Sequence, residues 1–176
     1  MNSSMEIREG RESSCDFSRA LEILRDLPLF SGVSLEGIKV LAYLAVAESF
    51  SAGEVLLGQG EKMDAAYFLL DGEVAVSRRW GDTEKHLYSR EQGAFLGGLG
   101  LLAPAKSLFS VRAVTDVCCL VLGREKFLKT AERFPGMLPK ILGNVVEHVF
   151  RWEENFVRAH AEECVDRSSE MGLTLF

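Results

Sequence analysis

Hydrophobic positions along the chain change their period twice. From Arg19, "RALEILRDLPLF" sets Leu21, Ile23, Leu24 and Leu27 at helical spacing and stops at Pro28. Ser34 then stands as an N-cap before a second apolar face of Ile38, Leu41 and Leu44. At Gly53 the text breaks into short runs cut by Gly53, Gly58, Gly60 and Gly72. Val74 and Val76 alternate with Glu73, Ala75 and Ser77, the pattern of a half-buried strand. The Asp71-Gly72 pair predicts one hairpin and "WGDTEKHLYS" a second. "LFSVRAVTDVCCLVL" is again strand text, rich in β-branched residues. Helical spacing returns after Gly123 in "REKFLKTAERF", ends at Pro135, and resumes in a long stretch from Met137. Turns every eight to twelve residues predict an antiparallel β fold, a small barrel or jelly roll, flanked by helices.

The Ser-rich, charged residues 1–18 read as a disordered arm. Residues 19–136 form the β unit with its flanking helices, 137–163 the long helix, and 164–176 a tail. At 176 residues the chain fits one domain, with enough length to bury a core.

Composition removes several function classes. A net charge of −6 with a pI near 5.2 argues against nucleic acid as a partner, because phosphate binding needs a basic face. No apolar run reaches the ~18 residues of a membrane span, and the N-terminus lacks the apolar stretch of a secretory signal. Cys15, Cys118, Cys119 and Cys164 form no C-x-x-C pair, which points to packing in a reduced, cytoplasmic setting. His86, His148 and His160 lie in unrelated segments, and Asp64 and Asp71 sit beside turns, where Asp is favoured for backbone reasons. Glu153, Glu154, Glu162 and Glu163 read as a solvated helix face. With neither a nucleophile–base pair nor metal-ligand spacing, the expectation is a protein that is not an enzyme and carries no cofactor.

The stretch "GLGLLAPAKS", Gly98 to Ser107, comes within one residue of a phosphate-wrapping G-x-x-x-x-G-K-[ST] loop. Ala105 stands where the second glycine belongs, Pro104 removes a backbone donor, and strand text rather than a helix follows. A nucleotide hydrolase is therefore disfavoured.

"GEVLLGQGEKMDAAYFLLDGEVAV" carries Gly53, Glu54, Gly60, Tyr67, Gly72, Val74 and Val76 in the order G-E-x-I-x-x-x-G-x-x-x-x-x-x-Y-x-I-x-x-G-x-V-x-V. It resembles the first half of a cyclic-nucleotide-binding domain. "LPLFSGVSLEGIKVLA" looks like that family's entry segment, and "AVTDVCCLVLGREKFL" like its last strand and following helix. The resemblance covers about residues 22–150. It implies an eight-stranded antiparallel jelly roll with N-terminal helices and a long C-terminal helix, and a regulatory role in signal transduction.

It also gives the glycine-rich loop a different meaning. In the family this segment, roughly G-x-F-x-G-E-L-A-L-L-x-x-x-P-R-x-A-T-V, cradles the cyclic phosphate. Gly93, Phe95, Gly97, Leu99, Leu101, Leu102 and Val111 match it, Gly100 lies inside it, and Ser110 stands for the Thr. The Glu that accepts from the ribose hydroxyl is Gly98 here, and the Arg that pairs with the phosphate is Ser107, with Lys106 one position early. Losing both contacts removes roughly 3–6 kcal/mol, or about two to four decades of affinity. Weak or absent binding of cyclic AMP and cyclic GMP is expected, with a different small anionic or apolar ligand as the alternative occupant.

On the long helix, Leu138, Leu142, Val145, Val149, Trp152 and Phe156 step by four and three, a coiled-coil seam that Ile141 and Val146 widen. Packing on the barrel is the competing use of such a face. In the bacterial transcription factors of this family the matching helix forms the dimer interface. The expectation is a homodimer that contacts an effector protein. The roughly twenty residues after Phe156 are too few for a DNA-reading domain. In this family ligand occupancy shifts the helix after the barrel, here near Phe127 to Pro135.

Overall fold

The computed structural model describes residues 17–159. Residues 17–26 are helical (α1), so the expected arm ends two residues earlier than its composition suggests. Its residues 1–16, and residues 160–176 of the expected helix end and tail, lie outside the described residues. A 3-10 turn, Pro28–Phe30, leads to α2, Leu35–Leu44. Ser34 caps α2 as its side-chain oxygen accepts from the Gly37 N–H at 3.3 Å. Eight strands follow among the described residues: β1 Val46–Phe50, β2 Val55–Leu57, β3 Ala65–Asp71, β4 Val74–Trp80, β5 Thr83–Arg90, β6 Phe95–Leu96, β7 Ser110–Ala113 and β8 Val117–Gly123. The short α3, Leu99–Leu102, interrupts them, and α4, Arg124–Arg133, and α5, Met137–Ala159, close the described chain.

The strands form two four-stranded sheets, ordered β1-β8-β3-β6 and β2-β7-β4-β5, and every pairing is antiparallel. This is a jelly roll with helices on one side. One core lies between the sheets, built on Leu69, Val74, Val76, Val111, Val117 and Cys119. The other lies between the outer face of the first sheet and the helices, where Leu41, Leu101, Phe127, Met137 and Ile141 are buried around Leu120 and Leu122. Alternation along β8 sends Cys119 into the first core and Cys118 against the second. Burial raises the Cys119 thiol from its ordinary 9.0 to about 11, with Cys118 and Glu48 adding to the effect, so it packs as a small hydrophobe.

The Asp71-Gly72 signal does not make a hairpin. β3 and β4 belong to different sheets, so the chain crosses from one layer to the other at this point. Gly72 adopts φ 89°, and a Cβ there would run into the Asp116 carbonyl oxygen and lie 2.9 Å from Val117 Cα. Glycine is needed for a close backbone approach rather than for a two-residue loop. The hairpin expected from "WGDTEKHLYS" does form: Trp80 pairs with Thr83 across Gly81 and Asp82, with Gly81 at φ 58°.

Replacing Gly72 by Ala is expected to destabilise the fold by roughly 2–4 kcal/mol, because backbone strain and overpacking add. Gly53→Ala has the same sign of φ, at 91°, but open space around it, and should cost about 1 kcal/mol. Urea unfolding of the two variants checks the difference.

Candidate functional site

The glycine-rich segment is held against the first sheet by its smallest residues. β6 pairs with β3, Phe95 opposite Phe68 and Leu96 opposite Tyr67. Gly97 turns the chain at φ 73°, and a Cβ there would sit 2.8 Å from the Ala65 carbonyl oxygen. At Gly100 a Cβ would fall 2.6 Å from Met63 Cβ and 2.7 Å from its carbonyl oxygen. Both glycines therefore let the segment lie directly on the β2–β3 connection and the start of β3. Leu101 is fully buried in the helical core, whereas Leu99 faces outward. Through Leu101 the segment packs into the same core as Phe127 of α4.

After α3 the chain continues as an extended run. Met63 N donates to the Ala105 carbonyl at 2.9 Å, Ser107 N to that of Glu61 at 2.8 Å, and Gly60 N to that of Ser107 at 2.8 Å. Lys106 bridges to Lys62 through the backbone, and its side chain is exposed. No helix follows Lys106; β7 does, as an antiparallel neighbour of β2 and β4. That geometry is not a nucleotide-hydrolase loop.

The two positions expected to carry phosphate chemistry hold none of the required groups. Gly98 precedes α3 without a side-chain cap, and a Cβ there would meet the Phe95 ring at 2.5 Å. Ser107 is 5% exposed, and its hydroxyl donates to the Phe109 carbonyl at 2.6 Å while accepting from the Phe109 N–H at 3.3 Å. Its side chain is used in folding the loop back on itself, a local Ser-backbone motif. Ser110 accepts from the Gln59 N–H at 3.1 Å and so ties the loop before β3 to β7. Phe95, Gly97, Gly98, Leu99, Gly100, Leu101, Lys106, Ser107 and Ser110 thus make one contiguous structure, tied to the β2–β3 connection by backbone hydrogen bonds.

Two other features surround it. Tyr67 lines the inter-sheet core edge-on to Phe50 at 6.3 Å, and burial first, then the nearby Glu48, raises its phenol above the usual range. A groove of about 600 Å³ separates Phe95, Gly98 and Leu99 from Val145, His148 and Val149 of α5. One residue belongs to no motif. Arg78 follows Val74 and Val76 on the inward side of β4, and its guanidinium carbon lies 5.2 Å from the Trp80 ring centre and 5.9 Å from that of Phe109. Period-two alternation from Val74 is the signal that points to it. Trp80, at its hairpin end, is about half exposed.

The dimer-helix positions divide between two environments. Leu138, Leu142, Trp152 and Phe156 are exposed, and Trp152 stacks on Phe156 at 5.5 Å. Val145 and Val149 are half-buried and line the groove. An adjacent face of the first turns, Met137 and Ile141, is buried, and Asn144 donates to the carbonyls of Leu29 at 3.0 Å and Ser31 at 2.9 Å. Among the described residues no group of His, Cys, Asp and Glu could hold a metal ion, and no helix is long and apolar enough to cross a membrane.

The architecture is an eight-stranded jelly roll flanked by helices, with a glycine-rich segment laid on its first sheet. The family model for the cyclic nucleotide-binding domain matches residues 47–134, and the chain belongs to that family. It is similar to the Thermus thermophilus catabolite activator protein, with a TM-score of 0.60 and 26% identity, covering 81% of this chain and 63% of that one. The regulatory subunit of a cAMP-independent protein kinase A from Trypanosoma brucei gives a TM-score of 0.57 at 25% identity, covering 73% of this chain and 48% of that one. A cGMP-dependent protein kinase from Eimeria tenella is 24% identical over 139 residues, 79% of this chain. The chain spans 12% to 25% of the length of the curated relatives it matches.

Because the Ser107 hydroxyl closes the loop rather than facing a ligand, Ser107→Ala should lower stability by roughly 1–2 kcal/mol, leaving the Phe109 N–H and carbonyl unpaired. The urea midpoint should fall with an unchanged slope.

Proposed function

We propose that this chain is a non-enzymatic regulatory module whose pocket binds cyclic AMP or cyclic GMP weakly or not at all, and which acts through the exposed face of α5. The observation that carries the first half is at the two anchor positions. Gly98 offers no side chain, and the Ser107 hydroxyl is spent on Phe109. Lys106 is a flexible point charge on the exposed side of the loop and does not reproduce a planar, bidentate Arg contact. Likeness to a kinase regulatory subunit described as cAMP-independent is in keeping with this reading. Calorimetry with cyclic AMP and cyclic GMP at millimolar ligand and low salt tests it. The expected trace is flat; saturable binding near micromolar would sink the proposal.

The second half is supported by the apolar side chains that α5 leaves in water, Leu142 and Trp152 each 60% exposed. A helix rooted by one face and apolar on another is suited to pair with a second copy or an effector. A homodimer along α5 is the reading we favour. Sedimentation should then show a dimer, and Leu142→Glu should raise its dissociation constant at least about 100-fold, since ~2.8 kcal/mol is lost across two copies. A monomer at every accessible concentration would refute the homodimer.

A further inference from the structure

Arg78 is a charged side chain where strand alternation places apolar ones. On β4, Ser77 and Arg79 point outward and both bond Glu84, at 2.5 Å and 3.2 Å. Val74, Val76 and Arg78 share the other side, and Val76 pairs with Val111 of β7, both buried between the sheets. Phe109, two residues before Val111, continues that inner row and packs against the same core. Arg78 therefore lies at the rim of the jelly-roll interior, beside the Ser107–Phe109 loop where the family's arginine is missing.

Its environment is unusual for an arginine. The Nε atom is buried and has no hydrogen-bond partner, a condition shared among the described residues with Arg124, and none of the ion pairs among the described residues includes Arg78. A buried guanidinium donor without an acceptor is unfavourable, and folded proteins rarely keep one without a use. The rings of Phe109 and Trp80 fix the guanidinium beside apolar planar surface, and Trp80 remains half exposed. A planar fork of donors beside aromatic surface matches an oxyanion carried on a flat, apolar body.

We propose that Arg78, with Phe109 and Trp80, forms a recognition site for a small planar aromatic anion at the rim of the jelly roll. The anion's oxygens meet the terminal Nη donors of Arg78, and its ring lies against Phe109 and Trp80. The site moves the cationic anchor from the glycine-rich loop to β4. This proposal rests on the reading of the chain as a regulatory module whose pocket holds cyclic nucleotides weakly or not at all.

The chain has two tryptophans, so Trp152→Phe leaves Trp80 as the only one and its emission reports on this site. In that background, titration with naphthalene-1-sulfonate should quench Trp80 saturably. Arg78→Gln should raise the dissociation constant about tenfold or more, the loss of a charge-assisted contact worth ~1.4 kcal/mol. Neutral 1-naphthalenemethanol should bind more weakly by a similar factor and be indifferent to Arg78→Gln. Arg79→Gln, on the outer side, should change nothing, and Arg78→Lys should retain part of the affinity. An unchanged far-ultraviolet spectrum and urea midpoint confirm that each variant is folded. No saturable quenching, equal affinities in Arg78→Gln, or equal binding of the sulfonate and the alcohol would each overturn the proposal. Micromolar cyclic AMP binding would instead overturn the proposed function while leaving the Arg78 result to stand on its own.

Discussion

The fold depends on one strand being apolar on both sides. β8 pairs with β1 along five positions and with β3 along six, so it is one of the two interior strands of its sheet. Val117, Cys119 and Val121 fill the space between the sheets, while Leu120 and Leu122 face the helices. A strand buried on both faces cannot slip by one residue without exchanging the contents of two cores. It also fixes α4, since Gly123 ends the strand and Arg124 N donates to the Asp64 carbonyl at 2.7 Å where β3 begins. Barrel, helices and loop are all registered to that strand.

The glycine-rich segment shows how a scaffold and its chemistry can separate. Gly97 and Gly100 are required because backbone or Cβ atoms lie where their side chains would be. Leu101 is required because it plugs the helical core. These demands come from packing, and they hold whether or not an anion is bound. At Gly98 a Cβ would meet the Phe95 ring, and the Ser107 hydroxyl is held by Phe109. The geometry of the loop is thus maintained by the fold.

Much of this was legible in the residues. Helical spacing located α1, α2 and α4, and the seam on α5 was visible as a period of four and three. The matched glycines gave the jelly roll because each marks a turn or a close approach. The Asp71-Gly72 pair misled, since a two-residue turn signal is local and the assignment of β3 and β4 to different sheets is not. What makes Gly72 necessary is Asp116 and Val117, more than forty residues away. The division of the α5 seam, half in water and half along a groove, was equally hidden, because it depends on where α5 meets Leu29 and Ser31. Arg78 stands in the period-two row of Val74 and Val76, but its neighbours Phe109 and Trp80 come from the fold.

Asn144 has a mechanical consequence. Its amide grips the carbonyls of Leu29 and Ser31, whereas most side chains beyond it on α5 stand in solvent. From Asn144 to Ala159 the helix extends about 22 Å at 1.5 Å per residue. This is a lever arm with its fulcrum at one amide. A tilt of about 10° at the fulcrum would carry the far end roughly 4 Å, more than half of one helical turn. A displacement too small to disturb either core would thus become, at the tip, a change of register with whatever lies alongside.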